Sequence, residues 1–358
     1  MPHLLVDISF HGYGHISQVV PVLTGLRALR PELRITVRTR APESMLRQRI
    51  ACDFTHIQTA LDFGMVMSSA VDVEVQQSAA AYRVFHANWN HRIRDEAAAM
   101  RALKPDLLLA DIPYLSLAAA RHAGIPAVAL CSLNWADVYR HYCTGNHFDP
   151  GVHAEIMEAY QSAQCFLQPQ PCMPMPELCN TRRIAPIARV GQANRARIDQ
   201  HFGQRTSSKK LILVGMGGME FRLPMHNWPR LPDVHWLVPA AWDMQRDDIS
   251  PFDAIGMTFS DLLASSDAVL TKPGYGTFSE AACAGVPLFS LKRPDWPEEP
   301  YLVNWLQQHG VCIEVERADL NSGAWLSLLP QAWSACRPAP PQPSGALEAA
   351  QYLHELLG

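Results

Sequence analysis

The chain reads as an α/β protein in two halves, each built on a parallel, Rossmann-like sheet, and three observations carry that reading. Short apolar segments with strand character alternate with helical patterns along most of the 358 residues, the order that βαβ units produce. Glycine turns follow three of those strands, at Phe10–His15, at Gly215–Gly218 and at Pro273–Gly276. In open α/β sheets that C-terminal edge is where ligands bind. Between the halves, residues 168–190 are rich in proline and lack any period, which places a linker there, taken as 171–190.

In order, residues 3–9 make a first strand that runs into the turn Phe10-His11-Gly12-Tyr13-Gly14-His15 and a helix from about Ile16 to Leu29, where Leu23, Leu26 and Leu29 recur at helical spacing. Leu33–Thr39 is the next strand, followed by a helix near Glu43–Ile50. Val71–Val75 is read as a further strand and Ser78–Leu103 as one long helix. The apolar segment 105–111 forms a strand that delivers Asp111 at its C-terminal end. Helix 115–123 is closed by Gly124, and strand Ala127–Cys131 follows. Residues 133–149, with Trp135, read as an aromatic and polar loop, and helix 152–163 ends the first half.

The second half restarts with strand Lys209–Val214, which ends in Gly215-Met216-Gly217-Gly218. Strand Val234–Val238 and helix Phe259–Ala264 lead to Ala268–Leu270, an apolar run of the kind a buried parallel strand needs. After the turn at Pro273–Gly276, a helix pattern runs from Phe278 to Ala284, ends at Gly285, and gives way to strand Leu288–Ser290. Helix 299–309, strand 311–315, helix 318–334, a proline-rich piece at 337–343 and a last helix at 345–357 complete the chain.

Composition narrows the function. Apolar residues at 48% and charged ones at 18% describe a globular protein, and a net charge of −4 gives no electrostatic basis for a nucleic-acid partner. Nine cysteines, odd in number and scattered, form neither a disulfide framework nor a zinc pattern, so a reducing, cytoplasmic location is expected. Asp7 in the first strand and the lack of a basic leader argue against a signal peptide. The most apolar region, 107–130, contains Asp111, Pro113 and Arg121, which does not suit a membrane span; peripheral membrane contact is left open.

The most informative stretch is 271–287, TKPGYGTFSEAACAGVP. A strand, a glycine turn and a helix start in succession present unpaired N–H groups and the positive end of a helix dipole, and Lys272 adds a full charge. The local spacing equally fits a plain βα connection with Thr277 as N-cap and Glu280 as its capping-box partner. Together with PEEPYLVNWLQQHGV, which follows, the segment resembles the donor-binding region of GT-B glycosyltransferases. It is most similar to the glycosyltransferase-like N-terminal domain of plant L-arabinokinases, with their Gly-Tyr-Gly-Thr turn and Glu-Glu-Pro segment.

That resemblance implies two Rossmann-like domains facing across a cleft. Residues 1–170 would bind the acceptor, 191–340 would bind a nucleotide-sugar, and 341–358 would be a helix packing back on the first domain. Gly274, Tyr275, Gly276 and Thr277 would hold the donor diphosphate, and Glu280 the ribose. Gly215, Gly217 and Gly218 resemble the second glycine loop of such folds, with a simple tight turn as the other reading. Glu298 and Glu299 stand where relatives hold sugar hydroxyls, although a Pro-Glu-Glu helix start explains them as well.

His15, at the turn after the first strand, is the candidate base, since imidazole titrates near working pH. In the plant enzymes a histidine at this point is oriented by an aspartate from a later strand, and Asp111 resembles that acid. His11 is the rival base and, with Gly14 and Trp135, lies on the acceptor side. The spacing of His11 and His15 also fits a metal pair, but no third ligand accompanies them and no Asp-x-Asp motif is evident, so no metal is expected. The plant Trp-and-Gln base clamp and Gly-Trp-Asn-Ser turn are absent, which leaves the nucleobase open.

The expected function is therefore metal-independent, inverting transfer of a sugar from a nucleoside-diphosphate-sugar to a small-molecule or lipid-linked acceptor, with no cofactor. The alternatives are a nonhydrolysing nucleotide-sugar epimerase and a non-catalytic nucleotide-sugar-binding protein.

Overall fold

Strand β1 (His3–Ile8) is buried along its whole length, because in a parallel sheet helices cover both faces. The one charge inside it, Asp7, is held by a bidentate pair with Arg38 of β2 (Arg34–Thr39), at 2.7 and 2.6 Å, and Glu96 completes the cluster. The computed structural model describes residues 1–69, 71–217 and 222–358, with the backbone alone at Tyr13. The chain divides into two units, Met1–Ile187 with Ser344–Gly358, and Ala188–Pro343.

In the first unit, β1 and β2 are joined by β3 (Thr55–Gln58), β4 (Leu107–Asp111), β5 (Ala127–Leu130), β6 (Cys165–Pro169) and β7 (Thr181–Ile184). All pair in parallel, in the order β3-β2-β1-β4-β5-β6-β7. Around this sheet lie α1 (Tyr13–Leu29), α2 (Glu43–Arg49), α3 (Val75–His86), α4 (Trp89–Leu103), α5 (Tyr114–Ala123), α6 (Trp135–Tyr142) and α7 (Pro150–Gln161). The C-terminal helix, Gly345–Leu356, lies against α1, where a Cβ on Gly25 would stand 3.2 Å from that of Ala350. Small residues on both helices allow that close approach.

Several expectations are corrected. Val71–Val75 is no strand: Val73 makes a single antiparallel bridge with Met67, and Val75 opens α3. The helix expected over 78–103 is two helices, because Asn88 leaves helical geometry (φ −127°, ψ 41°) and α4 starts afresh from its backbone carbonyl, which accepts from the His91 and Arg92 N–H groups. The loop expected over 133–149 contains α6, capped by the Asn134 side chain accepting from the Asp137 N–H. Residues 171–187, expected as linker, belong to the first unit and carry β7, a half-exposed edge strand of sequence TRRI with little apolar signal. Strand β3 was missed for the same reason.

The second unit holds β8 (Lys210–Gly215), β9 (Val234–Val238), β10 (Ile249–Pro251), β11 (Ala268–Thr271), β12 (Leu288–Leu291) and β13 (Cys312–Val315), parallel in the order β10-β9-β8-β11-β12-β13. Its helices are α8 (Arg195–Phe202), α9 (Phe259–Ala264), α10 (Tyr275–Ala284), α11 (Glu299–His309), α12 (Arg317–Ser322) and α13 (Leu329–Ser334). One core layer is aromatic, with Trp228, Trp236, Phe289 and Trp325 packed edge to face. The helix expected over 318–334 is interrupted after α12 by Gly323, whose φ of +77° takes the backbone out of helical geometry. Among the described residues, no helix is long and apolar enough to cross a membrane.

Both sheets reverse their strand order once, between β1 and β4 in the first unit and between β8 and β11 in the second. Adjacent loops there leave in opposite directions and open a crevice at the C-terminal edge, which is where open α/β sheets bind ligands.

Candidate active site

In the first unit the crevice is built by register. Ile8 pairs with Asp111, and the Ser9 N–H donates to the Asp111 carbonyl at 2.7 Å, so the turn after β1 and the acid ending β4 are fastened together. Helix α1 begins at Tyr13, earlier than expected, which puts His15 in its first turn. His15 Nδ1 lies 2.8 Å from Asp111 Oδ1, with His15 7% exposed and Asp111 fully buried. A proton on Nδ1 donated to that carboxylate leaves the Nε2 lone pair as the basic site. Burial pushes the Asp111 carboxyl up, while the imidazole and the neighbouring Cys131 thiol pull it down.

Cys131, at the end of β5, was not anticipated; its Sγ lies 3.7 Å from His15 Nδ1. With His15 and Asp111 it forms a set of three donor atoms within 4.8 Å of one another, so the fold supplies the neighbours that spacing along the chain did not. The 2.8 Å Nδ1–Oδ1 separation is that of a shared proton. Two ligands of a tetrahedral zinc would stand about 3.3 Å apart.

Asp62, also unanticipated, accepts from the Trp135 indole N–H at 2.8 Å. Trp135 is fully buried, its ring centroid 5.1 Å from that of His11 and 5.8 Å from that of His15. It therefore packs against the rings of both histidines. Gly14 is exposed, with nothing within 4 Å of where a Cβ would stand. Gly64 is the opposite case. Its φ is +64°, and a Cβ would meet Trp135 at 2.7 Å and His11 Nδ1 at 2.8 Å. Gly64→Ala is thus expected to cost on the order of 1–2 kcal/mol from the backbone alone and to displace His11. Urea unfolding and the His11 imidazole resonances of the variant check both effects.

In the second unit the crevice lies between the turns after β8 and β11. Gly215 pairs with Thr271, whose hydroxyl donates to the Gly215 carbonyl at 2.6 Å. Gly215 lacks room for a side chain, since a Cβ would stand 2.6 Å from the Phe259 ring. Gly217 has φ +78°, and a Cβ there would lie 3.4 Å from Lys272 Cε and 3.8 Å from Nζ, so the lysine lies against the glycine turn after β8. Gly218 lies outside the described residues. Burial lowers the Lys272 ammonium to about 8; the Arg293 guanidinium adds to that, and Glu298 opposes it.

Helix α10 starts at Tyr275 with Gly274 as N-cap, and no side chain caps it. The capping box of Thr277 and Glu280 is therefore not formed: Thr277 sits inside the first turn, and the Glu280 carboxylate accepts from the Ser260 hydroxyl at 3.3 Å. Tyr275 is buried, and Gly276 and Thr277 follow it in the first turn of the helix, whose opening N–H groups find no partner within the helix itself. Glu298 and Glu299 are both buried. Glu298 accepts from the Trp296 indole N–H at 3.2 Å, and Glu299 accepts from the Arg293 backbone N–H at 2.8 Å. Burial pushes the Glu299 carboxyl up. Arg293, buried and stacked over Trp296 at 4.2 Å, is the charged residue here that sequence reasoning missed.

No protein-family model matches the chain. L-arabinokinase of Arabidopsis thaliana is 26% identical over 341 residues, which cover 91% of this chain and 32% of that protein. The chain thus spans about a third of that relative's length. Among solved structures, the kitacinnamycin glycotransferase superposes with a TM-score of 0.65 at 16% identity, covering 99% of this chain and 95% of that one. Arabidopsis thaliana UGT89C1 complexed with UDP gives a TM-score of 0.56 at 16% identity over 99% of this chain and 94% of that one, and the same protein has been solved with quercetin. With a parallel sheet of the same architecture in each unit and these likenesses over almost its whole length, the chain has the GT-B glycosyltransferase fold and is a distant homologue of L-arabinokinase.

Proposed function

We propose that the chain is a glycosyltransferase that moves a sugar from a nucleoside-diphosphate-sugar to a small hydroxyl-bearing acceptor with inversion. The observation that carries this reading is that each unit, taken by itself, has a crevice at the switch point of its sheet. One holds an oriented histidine base, and the other holds an ammonium among backbone donors. His15 Nε2 takes the acceptor's hydroxyl proton as the oxygen attacks the anomeric carbon. The bond from that carbon to the diphosphate oxygen breaks, and the nucleoside diphosphate leaves with the electron pair. Asp111 stabilises the imidazolium until its proton passes to solvent. The charge growing on the leaving group is met by Lys272 and the first-turn N–H groups of α10. The structure of UGT89C1 with UDP makes uridine diphosphate sugars the first donors to test.

A donor panel incubated with a panel of sugar, phenol and lipid-linked acceptors separates the readings. Acceptor-dependent release of nucleoside diphosphate, with a glycoside detected by mass spectrometry, is the expected result. Conversion of the donor to its epimer without any acceptor would make the chain an epimerase. Saturable donor binding without release across the whole panel would make it a binding protein.

A further inference from the structure

We propose that Asp62 is a second acid of the His15 site, a positioning residue that fixes Trp135 and, jointly with Asp111, stabilises the positive charge His15 acquires; its part in turnover rests on the transferase reading above. Asp62 stands in the segment between β3 and α3, far in sequence from both members of the histidine–aspartate pair. The segment is nonetheless drawn into the site: Leu61, Asp62 and Met65 are buried, and Gly64 fits under Trp135 and His11. A carboxylate that is only 8% exposed is costly unless partnered. Its partner is the indole N–H of Trp135 at 2.8 Å, and the same indole ring stands 5.8 Å from the His15 ring.

The groups that face Asp62 come from five elements: His15 of α1, Tyr82 of α3, Asp111 of β4, Tyr114 of α5 and Tyr160 of α7. Burial holds the three tyrosine hydroxyls well above their ordinary range, so they stay neutral. Within this set His15 is the group that becomes a cation. His11, with its ring centroid 5.1 Å from that of Trp135, completes the ring of neighbours. Burial pushes the Asp62 carboxyl up to about 6, against the pull of the imidazole, the Ser9 hydroxyl and the indole. Asp62 is therefore charged at neutral pH and gives up its charge over the range in which an imidazole gains one. The two titrations are coupled, and the acid limb of turnover belongs to the pair.

The test follows the His15 imidazole by NMR in the full chain without substrates, in wild type, Asp62→Asn and Trp135→Phe. Asn keeps an acceptor for the indole but removes the charge, so the His15 midpoint should fall by about one pH unit. Trp135→Phe removes a donor that favours the ionised carboxyl, so the midpoint should fall by less. The acid limb of kcat/KM for diphosphate release should move to lower pH in the same order, a shift that a purely structural residue would not cause. An unchanged His15 midpoint in folded Asp62→Asn overturns the proposal. Should that variant fail to fold, an unchanged midpoint in Trp135→Phe does so. A lowered midpoint in Asp62→Asn, together with a wild type that releases no diphosphate, would leave the electrostatic pair standing and remove the transferase reading.

Discussion

His15→Ala is expected to lower acceptor-dependent release of nucleoside diphosphate by about 100- to 10,000-fold, the usual contribution of a positioned general base, while leaving the affinity for nucleoside diphosphate unchanged. The separation follows from the architecture. His15 belongs to the first unit, whereas Lys272 and the α10 start belong to the second. A base acts on kcat because it is used only as the acceptor oxygen attacks, so a loss confined to KM would move His15 from base to binding residue. Asp111→Asn should be impaired too, since an amide in place of the carboxylate neither holds the Nδ1–H tautomer nor stabilises the imidazolium. Single-turnover release assays and calorimetric binding of the diphosphate on the same preparations check all three statements. Equal turnover in wild type and His15→Ala would pass the role to His11 or to no histidine at all.

How far the sequence led depended on whether a residue's signal was local. His15, Asp111 and Lys272 stand where strand patterns end, at the edge where parallel sheets bind ligands, and the resemblance to GT-B glycosyltransferases gave the first two their expected roles. Asp62 and Cys131 give no such sign. Asp62 follows a short, half-exposed edge strand with no clean period, and only tertiary packing carries it to Trp135. Cys131 reads as one more apolar residue at a strand end until β5 is laid beside β4. The capping box failed for a different reason. The spacing of Thr277 and Glu280 is right for a cap, but Gly274 lets the helix begin at Tyr275, and Ser260 of another helix takes up the glutamate. The long helix over 78–103 and the loop over 133–149 show that asparagine positions, at Asn88 and Asn134, outweighed periodicity in setting boundaries.

Lys272→Met should weaken binding of whichever of UDP, dTDP, GDP and ADP the wild type binds by about 10- to 100-fold, as expected for a charge-assisted contact worth about 1.5–3 kcal/mol. It should also remove a proton from the binding reaction. Burial, helped by Arg293, lowers the wild-type ammonium from its ordinary 10.5 to about 8, so between those values the empty site is largely neutral. A bound diphosphate favours the charged form and raises it again. Binding at pH 9 is then accompanied by proton uptake, seen as a dependence of the calorimetric heat on the buffer's ionisation enthalpy. Well below pH 8 the lysine is already charged, and the uptake vanishes. The same depression has a signature without ligand. Because the unfolded chain holds this proton up to about 10.5 and the folded one only to about 8, the lysine's contribution makes the fold more stable as pH rises through that window. Met, which carries no charge to desolvate, should flatten that rise relative to wild type. If the variant binds diphosphate as tightly as wild type, with the same buffer dependence, the phosphates are held elsewhere, and Lys272 is merely a half-buried lysine beside a turn.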